Sequence, residues 1–226
     1  MEITGGVAMY LALIGDLVSS KKLVNRSQIQ EALLSLMEDI NQNYQEIIVS
    51  PFTVTTGDEF QALLKVDGRI FQLIDDISLR FLPHTIRFGI GAGQVITEIN
   101  RQQSIGSDGP VFWNARKAIN EVHRKNDYGT TQIAVCLENE EASVRLNTLT
   151  AACEFIKSRW TANQIAILKV LLENELYQED FEHKQVAALL GISPSAFNKR
   201  LKASGLKIYL RNKALASDLF LEAVRK

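Results

Sequence analysis

Apolar positions first form an unbroken run, Tyr10–Ile14, the signature of a central strand covered on both faces. The run ends in Gly15-Asp16-Leu17-Val18-Ser19-Ser20. Ile29, Leu33, Leu36 and Ile40 then recur at helical spacing. Pro51–Thr56 and Phe60–Val66 read as two strands around a Gly57-Asp58-Glu59 turn, a hairpin with carboxylates at its tip. Ile70, Ile74, Ile77 and Phe81 mark a second helix. In Thr85–Val95, Ile86, Phe88 and Ile90 alternate on one face of a strand, and Gly89, Gly91 and Gly93 fall on the other. Asp108–Pro110 opens a third helix to about His123, and Gln132–Leu137 is a last strand. The order β-α-β-β-α-β, then α-β, predicts an α+β fold: a ferredoxin-like, palm-type sheet with helices on one face.

From about Cys153 the strand signals stop. Thr161 and Gln164 form a capping box for a helix to about Leu172. A helix over Phe181–Leu190 follows, then one with Ser193 as N-cap and Pro194 at its first position, then a last over Leu210–Val224. The expected division is a mixed segment, residues 9–145, and an all-α segment, residues 153–226. Few Gly or Pro separate them, and Thr148–Ile156 reads as helical and packed.

Charge separates the same two segments. The 226 residues hold 25 Lys and Arg against 26 Asp and Glu, a net charge of −1. Residues 157–226 hold 12 against 7, however, and residues 1–156 hold 13 against 19. A basic helical half therefore follows an acidic mixed half. The composition excludes collagen, disorder and a disulfide scaffold. Cys136 and Cys153 have no metal-ligand spacing. No apolar run approaches the roughly 18–20 residues that span a bilayer. The reading is a cytoplasmic protein without a membrane partner, with Met9 a candidate start and residues 1–8 a leader.

Lys184–Gly205 resembles a helix-turn-helix. Ala187 is small where two helices approach, Gly191 permits a left-handed turn, and Ile192 plugs the angle. Phe197 and Leu201 then face inward. Ser195, Asn198, Lys199 and Lys202 face a DNA major groove with Arg200 at its edge, and Lys207, Arg211 and Lys213 reach phosphates. The bland alternative is a helical hairpin with a solvated basic face.

In a palm-type sheet the first strand lies beside the hairpin strand, so Asp16, Asp58 and Glu59 reach one edge. There they suit Mg²⁺ or Mn²⁺, with Gly15 and Gly57 leaving room for a triphosphate. The motifs Gly-Asp-Leu-Val-Ser-Ser, Thr-Gly-Asp-Glu-Phe-Gln, Ile-Arg-Phe-Gly-Ile-Gly, and Ile-Gly-Ser-Asp-Gly-Pro with Ala115-Arg116, resemble the SatD family over nearly the whole chain. Members are bacterial proteins usually treated as regulators. More distantly, the first half resembles class III nucleotidyl cyclases and the diguanylate cyclase palm. That resemblance implies Asp16 and Asp58 as metal ligands, Arg116 as the arginine that steadies the phosphates, a purine nucleotide ligand and a homodimer. It departs where the cyclase asparagine and base-reading lysine fall on Phe112 and near Val54.

Structural roles compete with these. Asp16 caps the following loop with Ser19 and Ser20, Gly57-Asp58 is turn chemistry, and Arg116 pairs with Glu121. Trp113 and Trp160 read as core or domain-interface residues. Three functions follow: a DNA-binding regulator that senses a nucleotide, a metal-dependent cyclase with Arg116 catalytic, or a degenerate palm used for dimerisation.

Overall fold

The computed structural model describes residues 8–19, 25–55, 57–125 and 127–225. Ser20 and Thr56, named above, and residues 1–7 of the expected leader lie outside them. Five strands form one sheet: β1 (Tyr10–Leu17), β2 (Ile48–Val54), β3 (Glu59–Lys65), β4 (Ile86–Gly93) and β5 (Ile133–Cys136). Their order is β2-β3-β1-β4-β5. The pairs β2/β3, β3/β1 and β1/β4 are antiparallel, and β5 joins β4 in parallel. The apolar run is thus the middle strand of five.

Helices α1 (Arg26–Asn43) and α2 (Ile70–Arg80) cover one face. Leu33, Ile40, Leu73 and Ile77 pack there with Leu11, Leu13, Phe60 and Phe88. The expectation of helices on one face is corrected by α3 (Pro110–Arg124), which lies on the other face. Its Val111, Ala115 and Ile119 pack on Ala12, Ile14 and Leu63. The physical reason is the glycine row of β4. A Cβ on Gly91 would stand 2.2 Å from the Ala115 nitrogen, and one on Gly89 2.4 Å from the Ala115 oxygen. Real side-chain carbons do not approach so closely, so this face is shaped to take a helix backbone.

The all-α segment begins within α4 (Glu140–Ser158) and continues through α5 (Ala162–Glu173), α6 (His183–Leu189), α7 (Pro194–Ser204) and α8 (Leu206–Arg225). The Thr161 amide donates to Gln164 Oε1 at 2.8 Å in the expected capping box. Trp160 is buried, donates its indole N–H to the Ser204 carbonyl at 2.6 Å, and packs on Tyr209. Trp113, in contrast, is not core. It is 56% exposed, because its indole N–H is drawn to Asp108 Oδ1 at 2.7 Å at the solvent-facing start of α3.

Residues 146–152, the interval expected between the segments, lie inside one continuous helix, α4. Its Asn147 side chain bonds both the N–H and the C=O of Val135, covering the edge of β5. Helix α8 then returns to the sheet half, where Ala216, Phe220 and Val224 join the α1/α2 core.

One buried polar cluster ties the halves together. Asp75 of α2 is fully buried. It accepts from the Tyr209 hydroxyl at 2.6 and 2.7 Å and the Tyr177 hydroxyl at 2.5 Å. Lys157 stands at 3.2 Å and Lys213 at 3.3 Å. Lys157 also meets the buried Glu154 at 2.8 Å, so two ammonium groups balance two carboxylates. Burial alone would raise the Asp75 pKa, but Lys213, Lys157 and the two hydroxyls outweigh it and hold the group below the usual range. Lys213 was expected on a phosphate. It is 1% exposed, so that expectation is corrected: the residue neutralises Asp75 instead.

Candidate functional site

Two regions collect the residues singled out by sequence. The first is the end of the sheet where β1 stops and β3 and β4 start. Asp16 lies directly opposite Glu59 on β3 and Arg87 on β4. Alternation along β1 puts Asp16 on the same face as Ala12 and Ile14, the face that α3 covers. Helix α3 supplies Arg116 and, two turns on, His123. Arg116 holds Glu59 in a two-point fork at 2.5 and 2.7 Å. His123 Nε2 is 3.1 Å from Asp16, and its Nδ1 is 2.9 Å from Arg87 Nη1. Arg87 itself is 3.7 Å from Asp16.

Partial burial raises the Asp16 pKa. His123 and Arg87 oppose that rise, and Asp58 and Glu59 add to it. The influence of Asp58 means that the hairpin tip stands within electrostatic reach of Asp16. The structure therefore brings Asp16, Asp58, Glu59 and Arg116 to one place. It pairs Arg116 with Glu59, while Glu121 takes Arg124 at 2.6 Å.

The glycines serve packing and turning. A Cβ on Gly15 would stand 2.1 Å from the Phe60 ring, so the room expected for a triphosphate is filled by that ring. Phe60 and Phe88 flank Gly15 on the neighbouring strands, 6.2 Å apart edge to face. Gly57 sits at φ +73°, the left-handed conformation its turn requires. Phe112 and Val54, at the departures from the cyclase pattern, are a core residue of the α3 face and a half-buried strand residue.

Asp16, Asp58 and Glu59 offer carboxylate oxygens, the donor type that hard divalent cations take. As folded, Asp16 already stands against Arg87 and His123 Nε2, and Glu59 against Arg116. Among the described residues no three His, Cys, Asp or Glu side chains are gathered closely enough to hold an ion. Sequence reasoning overlooked His123 and Arg87. Both were findable: His123 follows Arg116 by seven residues on one helix face, and Arg87 precedes Gly89 on the α3 side of β4.

The second region is the pair α6–α7. Gly191 turns at φ +64°, and the Ile192 amide donates back to the Ala187 carbonyl at 3.0 Å. Ser193 Oγ accepts the Ala196 amide at 3.2 Å, and Pro194 opens α7. Ala187, Phe197 and Leu201 are buried. Ser195, Asn198, Lys199 and Lys202 are exposed along α7, with Arg200 half-buried beside them. Asn198 Oδ1 meets His183 Nδ1 at 2.9 Å. Among the described residues Lys199, Arg200 and Lys202 have no carboxylate partner. Lys207 lies over the Phe181 ring, and Arg211 pairs with Glu179, which offsets its charge. No helix among the described residues is long and apolar enough to cross a membrane.

The model of the SatD family matches residues 10–220. No curated protein matches. Among solved structures, two described as a bacterial light-regulated adenylyl cyclase are similar to part of the chain. Each is 16% identical over 57% of this chain with a TM-score of 0.40; the match covers 76% of one cyclase chain and 43% of the other.

Proposed function

This chain belongs to the SatD family, and from that premise we propose that it is a cytoplasmic DNA-binding regulator of transcription. The observation that carries this reading is the outer face of α7. Lys199 and Lys202 stand one turn apart and exposed, with Ser195 and Asn198 beside them and, among the described residues, no carboxylate paired with them. The turn at Gly191 and the buried Ala187, Phe197 and Leu201 fix α7 against α6. The side chains thus meet a groove without first being ordered.

Binding of the full chain to duplex DNA should fall steeply with salt. Lys199→Ala with Lys202→Ala should weaken it at least tenfold and lower the salt slope by about 2, roughly one for each lysine that no longer neutralises a phosphate. Fluorescence anisotropy over a salt series measures both quantities. Equal affinity of the double variant at every salt concentration sinks the reading.

The carboxylate end of the sheet favours a second component, a sensor for a purine nucleotide held with Mg²⁺ or Mn²⁺. What supports it is that Asp16 and Glu59 stand opposite each other, with Arg116 on Glu59 and Asp58 within electrostatic reach of Asp16. Asp16 and Asp58 would hold the cation, and Arg116, released from Glu59, would meet phosphate. Calorimetry with ATP and GTP in the presence of Mg²⁺ should give binding that Asp16→Asn abolishes. Absence of heat with both nucleotides rules the sensor out and leaves the DNA reading untouched.

A further inference from the structure

The outer face of the α4–α8 helix pair is apolar, exposed and charged oppositely at its two ends. Val144 and Phe155 on α4 are 60% and 50% exposed, and Ile208 and Leu215 on α8 are 53% and 47% exposed. These four large apolar side chains open to water on two neighbouring helices. The helices run antiparallel: Cys153 Sγ faces the Tyr209 carbonyl near one end, and Ala142 lines a shallow groove with Leu219 near the other.

The ends carry opposite charge. Residues 138–145 and 218–225 share one end and hold five carboxylates against two arginines, and of these Glu141 is paired with Arg145 on the surface of α4. Residues 155–159 and 207–211 share the other and hold four cations with no carboxylate. Of those four, Lys157 is taken by Asp75 and Glu154, and Arg211 by Glu179. Arg159 and Lys207 still leave that end positive. Arg159 is exposed and stacks over the Phe155 ring at 4.7 Å.

We infer that this face docks a second copy of the same chain. Two two-fold arrangements would cover it. With the axis along the helices, α4 lies on the partner's α8 and each end meets its own kind, acid on acid. With the axis across them, α4 lies on the partner's α4, α8 on the partner's α8, and each acidic end meets a basic one. Like charges opposed across an interface are costly, so charge selects the second arrangement.

The sequence of α4 is symmetric in the way that arrangement needs. About residue 150, Glu141 is matched to Arg159, just past the end of α4, and Thr148 to Ala152, with Val144 and Phe155 meeting one position out of register. An acid meets a base, a small apolar residue meets a ring, and two short side chains meet at the centre, where the backbones come closest. On α8, Ile208 of one copy falls against Leu215 of the other. The result is a four-helix seam of the kind that antiparallel helix pairs form. The seam forms whether or not α7 binds DNA.

Sedimentation of the full chain over a concentration series tests it. The wild-type chain should sediment as a dimer. Leu215→Glu should raise the dissociation constant at least tenfold while leaving the circular dichroism and thermal midpoint in place, since Leu215 is half exposed. Arg159→Glu should weaken the dimer, and adding Glu141→Arg to that variant should restore it. A wild-type chain that stays monomeric up to its solubility limit overturns the proposal. So does a dimer indifferent to both Leu215→Glu and Arg159→Glu.

Discussion

Asp75→Ala is expected to cost roughly 3–5 kcal/mol of folding stability, the scale for removing one partner of a buried charge pair. The residue is fully buried, and its loss leaves Lys213 without the carboxylate it pairs with and Lys157 with Glu154 alone, with the hydroxyls of Tyr177 and Tyr209 without their acceptor. Urea denaturation checks the figure. Asp75→Asn separates charge from shape, because an amide oxygen still accepts from a tyrosine hydroxyl but carries no charge for two ammonium groups. It too should be strongly destabilised, and an Asn variant as stable as wild type would show that charge is not what matters at this node. The pH dependence follows from the lowered pKa. A carboxylate held below its unfolded value contributes fully above the ordinary range near about 4, and that contribution is lost as pH falls toward about 2. The acid limb of the wild-type stability curve should therefore be steeper than that of Asp75→Asn.

The node also joins α2 to α4, α8 and the segment that carries Tyr177. A variant that loses it should loosen the helical half from the sheet. Hydrogen exchange would register this as earlier exchange in α8 than in β1.

Gly91→Ala should be the second severe substitution, at about 3 kcal/mol or more. The added methyl carbon would lie 2.2 Å from the Ala115 nitrogen and 2.4 Å from the Val111 oxygen, both backbone atoms that cannot swing aside. Helix α3 would have to lift from the sheet. That would carry Arg116 away from Glu59 and His123 away from Asp16, so the proposed nucleotide binding should fall along with stability. Gly93→Ala is the milder control, since its nearest atom is at 2.8 Å. A Gly91→Ala melting curve that overlays wild type would mean that α3 does not need this close approach.

The match between sequence and fold was closest where structure is local. The run Tyr10–Ile14 became the middle strand, and the stripe Ile29 to Ile40 became the inner face of α1. Ser193, Pro194 and Gly191 produced the cap and turn expected of them, because each acts within four residues along the chain. The row Gly89, Gly91, Gly93 was visible too, and its meaning was available: a strand face without side chains asks for a backbone against it. A sheet with all its helices on one face would leave that demand unmet.

At the candidate site, sequence pattern brought Asp16, Asp58 and Glu59 to one edge, since strand register follows from a central β1 beside a hairpin. It did not show that Arg116 would spend its charge on Glu59, or that Phe60 would fill the space at Gly15. Those pairs lie 57 and 45 positions apart along the chain, and nothing in local periodicity encodes them.

By itself, then, the sequence determined the elements, their order, the middle place of β1, the α6–α7 turn and the split of charge between an acidic sheet half and a basic helical half. Hydrogen-bonding geometry and side-chain period act over a few residues, so these are written locally. Only the tertiary structure decided which charges remain available. Lys213 and Lys157 were counted in the basic half, yet folding placed them against Asp75, 138 and 82 positions away. Burial removes a charge from solution far more cheaply when an opposite one arrives with it, and that pairing exists only once the chain has closed on itself.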